Sequence, residues 1–311
     1  MGKTIFIDGA SGTTGLEIAD RLAGHAEFQL ITLDDAKRKD PAAKREALND
    51  ADFVILCLPD DAAKEAVAMT TSNHTSIIDA STAHRVDPHW AYGFPEYLKG
   101  QHDRIAEARL VSNPGCYPTG FLALVAPLVA AGLIPADWPY TVNAVSGYSG
   151  GGKALIERFE SGEGSDIGFR TYGLDLQHKH VPEMQVHAGL THAPIFAPSV
   201  IKAFRGMVVE VPLPLSVMPG SGSPDALREA LALHYAGSPV VNVRDEAASE
   251  LLIREAQEPS DRLDLYVLGS RDGKQVRLLA MLDNLGKGAS GAAVQNLNIM
   301  AGLDETSGLR L

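Results

Sequence analysis

Along the first third of the chain, short apolar runs rich in β-branched residues alternate with stretches whose apolar positions recur every three or four residues. Residues 4–7, 29–33, 53–56, 76–78 and 110–111 read as strands, and residues 14–22 and 62–69 as helices. The turn Pro59, Asp60, Asp61 opens the second helix. Strand and helix in alternation mean crossover connections, and these predict an α/β fold whose first part is a Rossmann-like parallel sheet with helices on its faces.

Beyond residue 116 the pattern changes. A long helix is predicted over about residues 119–131, followed by strand-like runs at 140–145, 207–212, 263–269 and 275–282. That order predicts an α+β domain with a mainly antiparallel sheet. The stretches 146–152 and 219–224 are rich in Gly, Ser and Pro and read as loops. A last helix, 290–300, follows the final strand too closely to build a unit of its own, so it is expected to pack back on the first domain. The expected division is therefore residues 1–115 with 286–311, and residues 116–285.

At 311 residues the chain is long enough for two such domains. Its net charge of −12 opposes binding to nucleic acid or to an anionic membrane through any broad basic surface. A small metabolite remains as partner, and an anionic one must be gathered by local Arg, Lys and helix N-termini. The longest apolar stretch, 120–135, is interrupted by Pro127 and falls short of the roughly 20 residues of a membrane span. The first residues run straight into a strand with no apolar signal segment, so a cytoplasmic enzyme is expected. Cys57 and Cys116 form no CxxC pair and have no spaced His partners, which suggests neither a disulfide framework nor a metal site.

Gly9, Ala10, Ser11, Gly12, Thr13, Thr14 and Gly15 lie between the first strand and the first helix. Backbone amides and a helix N-terminus hold a pyrophosphate at such a place, so Gly9, Ser11, Gly12, Thr13, Thr14 and Gly15 are candidate dinucleotide-binding residues. At the end of the second strand, Asp34 and Asp35 stand beside Lys37, Arg38 and Lys39. A carboxylate there accepts a ribose 2′-hydroxyl and selects NAD, whereas a cation such as Arg38 neutralises a 2′-phosphate and selects NADP; the residues alone leave both open.

Ser112, Asn113, Pro114, Gly115, Cys116, Tyr117, Pro118 and Thr119 follow a strand and open the long apolar helix. A thiol at a helix N-terminus is favoured as thiolate, and Gly115 lets a reactant approach closely. A thiolate attacks an acyl phosphate readily, and the thioester it forms accepts a hydride, so nucleotide loop and thiol account for each other. Cys57 lies inside the apolar run 53–58 and reads as a small buried hydrophobe. His178, Lys179, His180 and Glu183 sit in a segment with no apolar periodicity, as an active-site loop would. A His there supplies and removes the proton of a tetrahedral intermediate, and Glu183 is placed to fix its tautomer. For an anionic substrate, Arg85 near Ser81, the loop containing Ser149, and Arg205 before Gly206 each offer small polar or cationic groups, with Arg85 the preferred phosphate ligand and His178 a further substrate contact.

Six blocks in order, 9–15, 79–82, 92–96, 113–119, 178–183 and 283–289, resemble the N-acetyl-γ-glutamyl-phosphate reductases, in the shorter branch of a family related to aspartate-semialdehyde dehydrogenase. The resemblance implies NADPH-dependent reduction of N-acetyl-glutamyl phosphate to the semialdehyde in arginine biosynthesis. It implies Cys116 as nucleophile, His180 as acid/base with Glu183 as its partner, Arg85 in contact with substrate, and Asn284 near the nicotinamide. It also implies NADP as cofactor, residues 116–285 as catalytic and oligomerisation domain, and a homodimer or homotetramer. The alternatives are an aspartate-semialdehyde dehydrogenase, which shares the 283–289 block but not the nucleophile block, an amino-adipyl-phosphate reductase, and an NADP-sensing binding protein that has lost catalysis.

Overall fold

A computed structural model of the chain describes residues 2–34, 37, 40–161, 164–245 and 249–311. In chain order its elements are β1 (Lys3–Asp8), α1 (Thr13–Leu22), β2 (Phe28–Ile31), α2 (Pro41–Asp50), β3 (Phe53–Leu56), α3 (Asp60–Met69), β4 (Ser76–Asp79), β5 (Ala91–Tyr92), α4 (Gln101–Glu107) and β6 (Leu110–Ser112). Then follow α5 (Cys116–Ala130), β7 (Thr141–Gly147), α6 (Gly152–Glu160), β8 (Phe169–Thr171), α7 (Val181–His187), β9 (Ile195–Ile201), β10 (Met207–Leu213) and α8 (Pro224–His234). The chain closes with β11 (Val241–Val243), β12 (Leu263–Gly269), β13 (Val276–Leu282) and α9 (Gly291–Ala301). They form two compact units, residues 1–95, 100–114 and 289–309, and residues 96–99, 115–288 and 310–311.

The first unit holds a six-stranded sheet in the order β2-β1-β3-β4-β6-β5, with every pair parallel. Strand periodicity sends Ile5 and Ile7 to one face, against Ile18 and Leu22 of α1 and Ala293, Val294 and Leu297 of α9. Phe6 goes to the other face, against Ala47 and Leu48 of α2 and Ala63 and Ala66 of α3. Both faces are covered, as a parallel sheet requires. The last helix packs on this unit. Helix α2 escaped the sequence reading because it buries only Ala47 and Leu48 and so carries little apolar period; Pro41 in its first turn and the Asp40 side chain, which accepts the Ala42 N–H at 2.9 Å, define its start.

The second unit holds a seven-stranded sheet, β11-β12-β13-β10-β7-β9-β8. Its pairs β7/β9 and β11/β12 are parallel and the other four are antiparallel. β9 was not anticipated, because Pro198 in its middle argues against a strand; here it registers opposite Ala144 of β7. Helix α5 is buried on nearly every side from Tyr117 to Leu128, which is why its sequence is apolar all round rather than striped. A Cβ at Gly120 would lie 2.7 Å from Val209 Cγ2, so glycine lets the helix sit directly on β10. The helix begins at Cys116 rather than near residue 119, since Pro118 in the first turn has no N–H that the helix would need.

Besides Gly115 and Arg310–Leu311, two segments expected in the first domain belong to the second unit, Glu96–Lys99 and residues 286–288. The reason is a buried ion pair: Lys287 Nζ donates to Glu96 Oε2 at 2.8 Å and Oε1 at 3.0 Å, while the Glu96 carbonyl accepts from His234 Nε2 at 2.9 Å. Among the described residues no helix is long and apolar enough to cross a membrane.

Candidate active site

Cys116 is the first helical residue of α5, and its residue is partly exposed. No side chain caps this end of the helix and its first turn carries no acid, so the amides and dipole of a fifteen-residue helix act on the sulfur unopposed from within the helix. The turn is held from outside by Glu183 in the first turn of α7, whose Oε1 accepts the Gly115 N–H at 2.7 Å. Glu183 is 1 % exposed, so this is a buried charge-assisted bond. From the helix side, Thr119 Oγ1 donates to the Gly115 carbonyl at 2.9 Å. Gly288 closes the other flank: a Cβ there would lie 2.8 Å from Cys116 Cβ.

Aromatic rings cluster around Tyr117, the residue that follows Cys116. Tyr117 meets His180 at 5.9 Å and His178 at 6.1 Å between ring centroids, and the two imidazoles lie 4.8 Å apart. The Tyr172 hydroxyl donates to the Tyr117 hydroxyl at 3.2 Å, which donates onward to the Ser199 carbonyl at 3.3 Å. Burial, reinforced by neighbouring Lys179, pulls the His178 pKa down to about 4, so His178 is a neutral ring at physiological pH. Burial likewise holds Tyr117 well above the usual phenol range and Tyr172 up to about 12, with negative charge on Cys116 adding to both shifts. His180 is buried at the N-terminus of α7, its backbone N–H donating to His178 Nδ1 at 3.2 Å. The segment predicted as a loop is thus half loop and half short helix, and the helical half aims Glu183 at Gly115.

Three further candidates are joined in one buried network. Asn284 Nδ2 donates to Ser149 Oγ at 2.9 Å, and Asn284 Oδ1 accepts the Gly206 N–H at 3.0 Å. Arg205 Nη1 donates to Asp283 Oδ2 at 2.8 Å. Asp283 is fully buried and also accepts the Leu285 N–H at 2.9 Å, while its carbonyl takes the Gly288 N–H at 3.0 Å. Ser149 and Asn284 therefore tie the 146–149 turn to the 283–288 turn, and Asp283 sets the backbone of Gly288 against Cys116. The fully buried Ser149 hydroxyl is committed to this network rather than displayed to a ligand.

In the first unit the glycine loop has the form its spacing predicts. Gly9 has φ +88, and a Cβ there would lie 2.3 Å from the Cys57 carbonyl; at Gly15 a Cβ would lie 2.4 Å from the Gly9 carbonyl. Glycine is needed at both. Gly12 caps α1 with no side-chain bond and the first turn, with Thr13 and Thr14, has no acid, while Ser11 is exposed. The Gly12 N–H closes the turn on the Gly9 carbonyl at 2.9 Å, and the start of α1, which no side chain caps, fits an anionic pyrophosphate. Arg38 lies outside the described residues. Arg85 is buried, its Nε donating to the Asn113 carbonyl at 2.9 Å and its Nη2 to the Ala80 carbonyl at 3.0 Å. It braces the ends of β4 and β6 more than it displays a guanidinium. Beside it, buried Asp79 accepts Ser81 Oγ at 2.7 Å and His84 Nδ1 at 2.6 Å, and the His84 ring stacks on Trp90 at 4.2 Å.

Residues 4–105 match the semialdehyde dehydrogenase NAD binding domain family, and residues 116–284 match the semialdehyde dehydrogenase dimerisation domain family. The chain belongs to the semialdehyde dehydrogenase family. Within that family it is 54 % identical over 309 residues to a protein of Brucella ovis named N-acetyl-gamma-glutamyl-phosphate reductase, covering 97 % of this chain and 100 % of the relative. A Brucella suis protein of the same name matches with the same identity and coverage. Among solved structures, aspartate semialdehyde dehydrogenase II of Vibrio cholerae shares the fold at a TM-score of 0.70 and 16 % identity, over 97 % of this chain and 99 % of that one. Aspartate semialdehyde dehydrogenase with NADP from Candida albicans follows at a TM-score of 0.62 and 13 % identity, with the same coverage.

Sequence reasoning singled out the thiol, the histidines and the glycine loop, but not Gly288, Tyr172 or the bond from Glu183 to Gly115. The Lys287, Gly288, Ala289 stretch was legible only as part of a resemblance, because nothing local says which glycine faces a distant cysteine.

Proposed function

We propose that this chain is an N-acetyl-γ-glutamyl-phosphate reductase of arginine biosynthesis, converting N-acetyl-glutamyl phosphate to N-acetyl-glutamate semialdehyde and phosphate with NADPH. The observation that carries the reading is the 54 % identity over 97 % of the chain to a reductase of that name, in a chain whose Cys116 opens the uncapped α5. Cys116 Sγ, as thiolate, attacks the acyl carbon; the bond from that carbon to the phosphate oxygen breaks and phosphate leaves, giving a thioester. NADPH, held by the amides of residues 9–15, supplies a hydride when bound. His180 protonates the oxygen of the resulting thiohemiacetal and takes the proton back as the C–S bond breaks, which frees the aldehyde and restores the thiolate.

The remaining candidates have different tasks. Glu183 is a positioning residue, holding the Gly115 turn against which the thiol is set. The neutral His178 lines the acyl site, its depressed pKa suiting a hydrogen-bonding rather than a charged role. Arg205, anchored by Asp283 yet partly exposed, is the cation of this unit that we assign to the substrate's anionic groups. Ser149 and Asn284 shape the site through their mutual hydrogen bond. The enzyme works as a homodimer or homotetramer in the cytoplasm; its match to a family described as a dimerisation domain supports self-association, and its biosynthetic reading the location.

The test runs the reaction in reverse. N-acetyl-glutamate semialdehyde, phosphate and NADP should give phosphate-dependent reduction of nicotinamide followed by absorbance, with aspartate semialdehyde a poor substitute and Cys116→Ser inactive. Faster turnover of aspartate semialdehyde would refute the substrate assignment, and turnover surviving in Cys116→Ser would refute the thioester.

A further inference from the structure

The first unit contains a pocket of about 230 Å³ at the C-terminal ends of β1 and β2. Gly9, Ala10 and Ser11 of the glycine loop form one wall, Leu30, Ile31, Thr32 and Leu33 of the β2 end another, and Leu58 and Lys44 close it. Relative to a pyrophosphate on the glycine loop, the end of the second strand is where the adenosine ribose of a dinucleotide lies. The group that distinguishes NADPH from NADH hangs from that ribose.

Asp34 and Lys37 follow β2, but the charged residues that line the pocket itself are Asp8 and Lys44. Asp34 is exposed, and its Oδ1 accepts the Lys37 N–H at 2.8 Å, so that oxygen stabilises its own turn rather than facing a ribose hydroxyl. Asp8, at the end of β1, lines the pocket and is paired by Lys44 Nζ at 2.7 Å. Lys44 comes from α2, an element that the sequence reading did not place at the cofactor. It is the one Lys or Arg among the described residues lining the pocket, and its side chain is 22 % exposed, open enough to be reached from within. An ammonium has three donors, so the contact with Asp8 leaves others for a second anion. A net charge of −12 makes a local cation indispensable for a group that adds a doubly negative phosphate.

We propose that Lys44 is the specificity residue that reads the 2′-phosphate of NADPH, with Asp8 holding its ammonium in the pocket until the nucleotide arrives. The proposal rests on the reading of NADP as cofactor given above. It moves the selecting charge from the residues that follow β2 in sequence, among them Arg38, to a helix that packs on the opposite face of the sheet from α1.

The test measures binding of the cofactor's own fragments, 2′,5′-ADP and 5′-AMP, by titration calorimetry, so it does not depend on turnover. The wild-type chain should prefer 2′,5′-ADP by at least tenfold, and Lys44→Met should reduce the preference to within about twofold while still binding 5′-AMP. Because Lys44→Met leaves the Asp8 carboxylate unpaired, the double variant Lys44→Met with Asp8→Asn is measured alongside, and it should lack the preference too. A double variant that recovers the preference would mean that Lys44 only neutralises Asp8, and the proposal fails. It fails also if Arg38→Ala removes the preference while Lys44→Met keeps it. A wild-type chain that binds both fragments equally would instead strike at the NADP reading itself.

Discussion

Glu183 reaches back 68 residues along the chain to accept the N–H of Gly115, the residue immediately before the nucleophile, at 2.7 Å. The carboxylate thus fixes the backbone from which Cys116 projects. Replacing it with alanine strands a buried amide, at a cost of about 1–3 kcal/mol. Glu183→Ala should therefore melt lower and lose at least a hundredfold in kcat, whereas Glu183→Gln, which keeps an acceptor oxygen, should stay near wild-type stability. Thermal melts of the two variants decide it: equal melting temperatures for Ala and wild type would remove the anchoring role.

Gly288 faces the nucleophile so closely that a Cβ would lie 2.8 Å from Cys116 Cβ. Gly288→Ala should displace the thiol, slowing both turnover and alkylation of Cys116 by at least tenfold. Iodoacetamide labelling at neutral pH reads Cys116 cleanly, because burial next to Asp79 and Asp8 pushes the Cys57 thiol up to about 12, although Cys57 as a whole residue is only partly covered. An unchanged labelling rate would show that the contact does not position the sulfur.

His178 makes stability depend on pH in a predictable direction. Its folded pKa, pulled down by burial to about 4, lies below the ordinary 6.5. Between those values the unfolded chain binds a proton that the folded chain refuses, so stability rises with pH across the window and is lost as pH falls from 6.5 toward 4. His178→Gln should flatten that slope in denaturant midpoints measured from pH 4 to 7. A slope unchanged by the substitution would assign the acid sensitivity elsewhere.

The buried pair of Lys287 and Glu96 links the 283–288 turn to the short segment Glu96–Lys99. Removing one partner leaves a buried charge alone, and Lys287→Met should cost about 3–5 kcal/mol. Glu96→Gln with Lys287→Met together should recover part of that loss. Urea unfolding of the single and double variants checks both, and additive losses would deny the coupling.

The parallel sheet, its two-sided core and the returning last helix were legible because periodicity is a local property: a residue's face follows from its neighbours two or four positions away. For the same reason the glycine loop and the thiol at a helix start could be read directly. The mixed second sheet was less legible, since the parallel pairing of β9 with β7 is a long-range choice and Pro198 points the wrong way. What only folding decided is the set of distant partnerships: Glu183 on Gly115, Asn284 between Ser149 and Gly206, Gly288 against Cys116, Lys44 on Asp8. Each is a polar bond or a close approach between residues far apart along the chain, imposed when burial obliges every buried donor and acceptor to find a partner and every tight contact to lose a side chain.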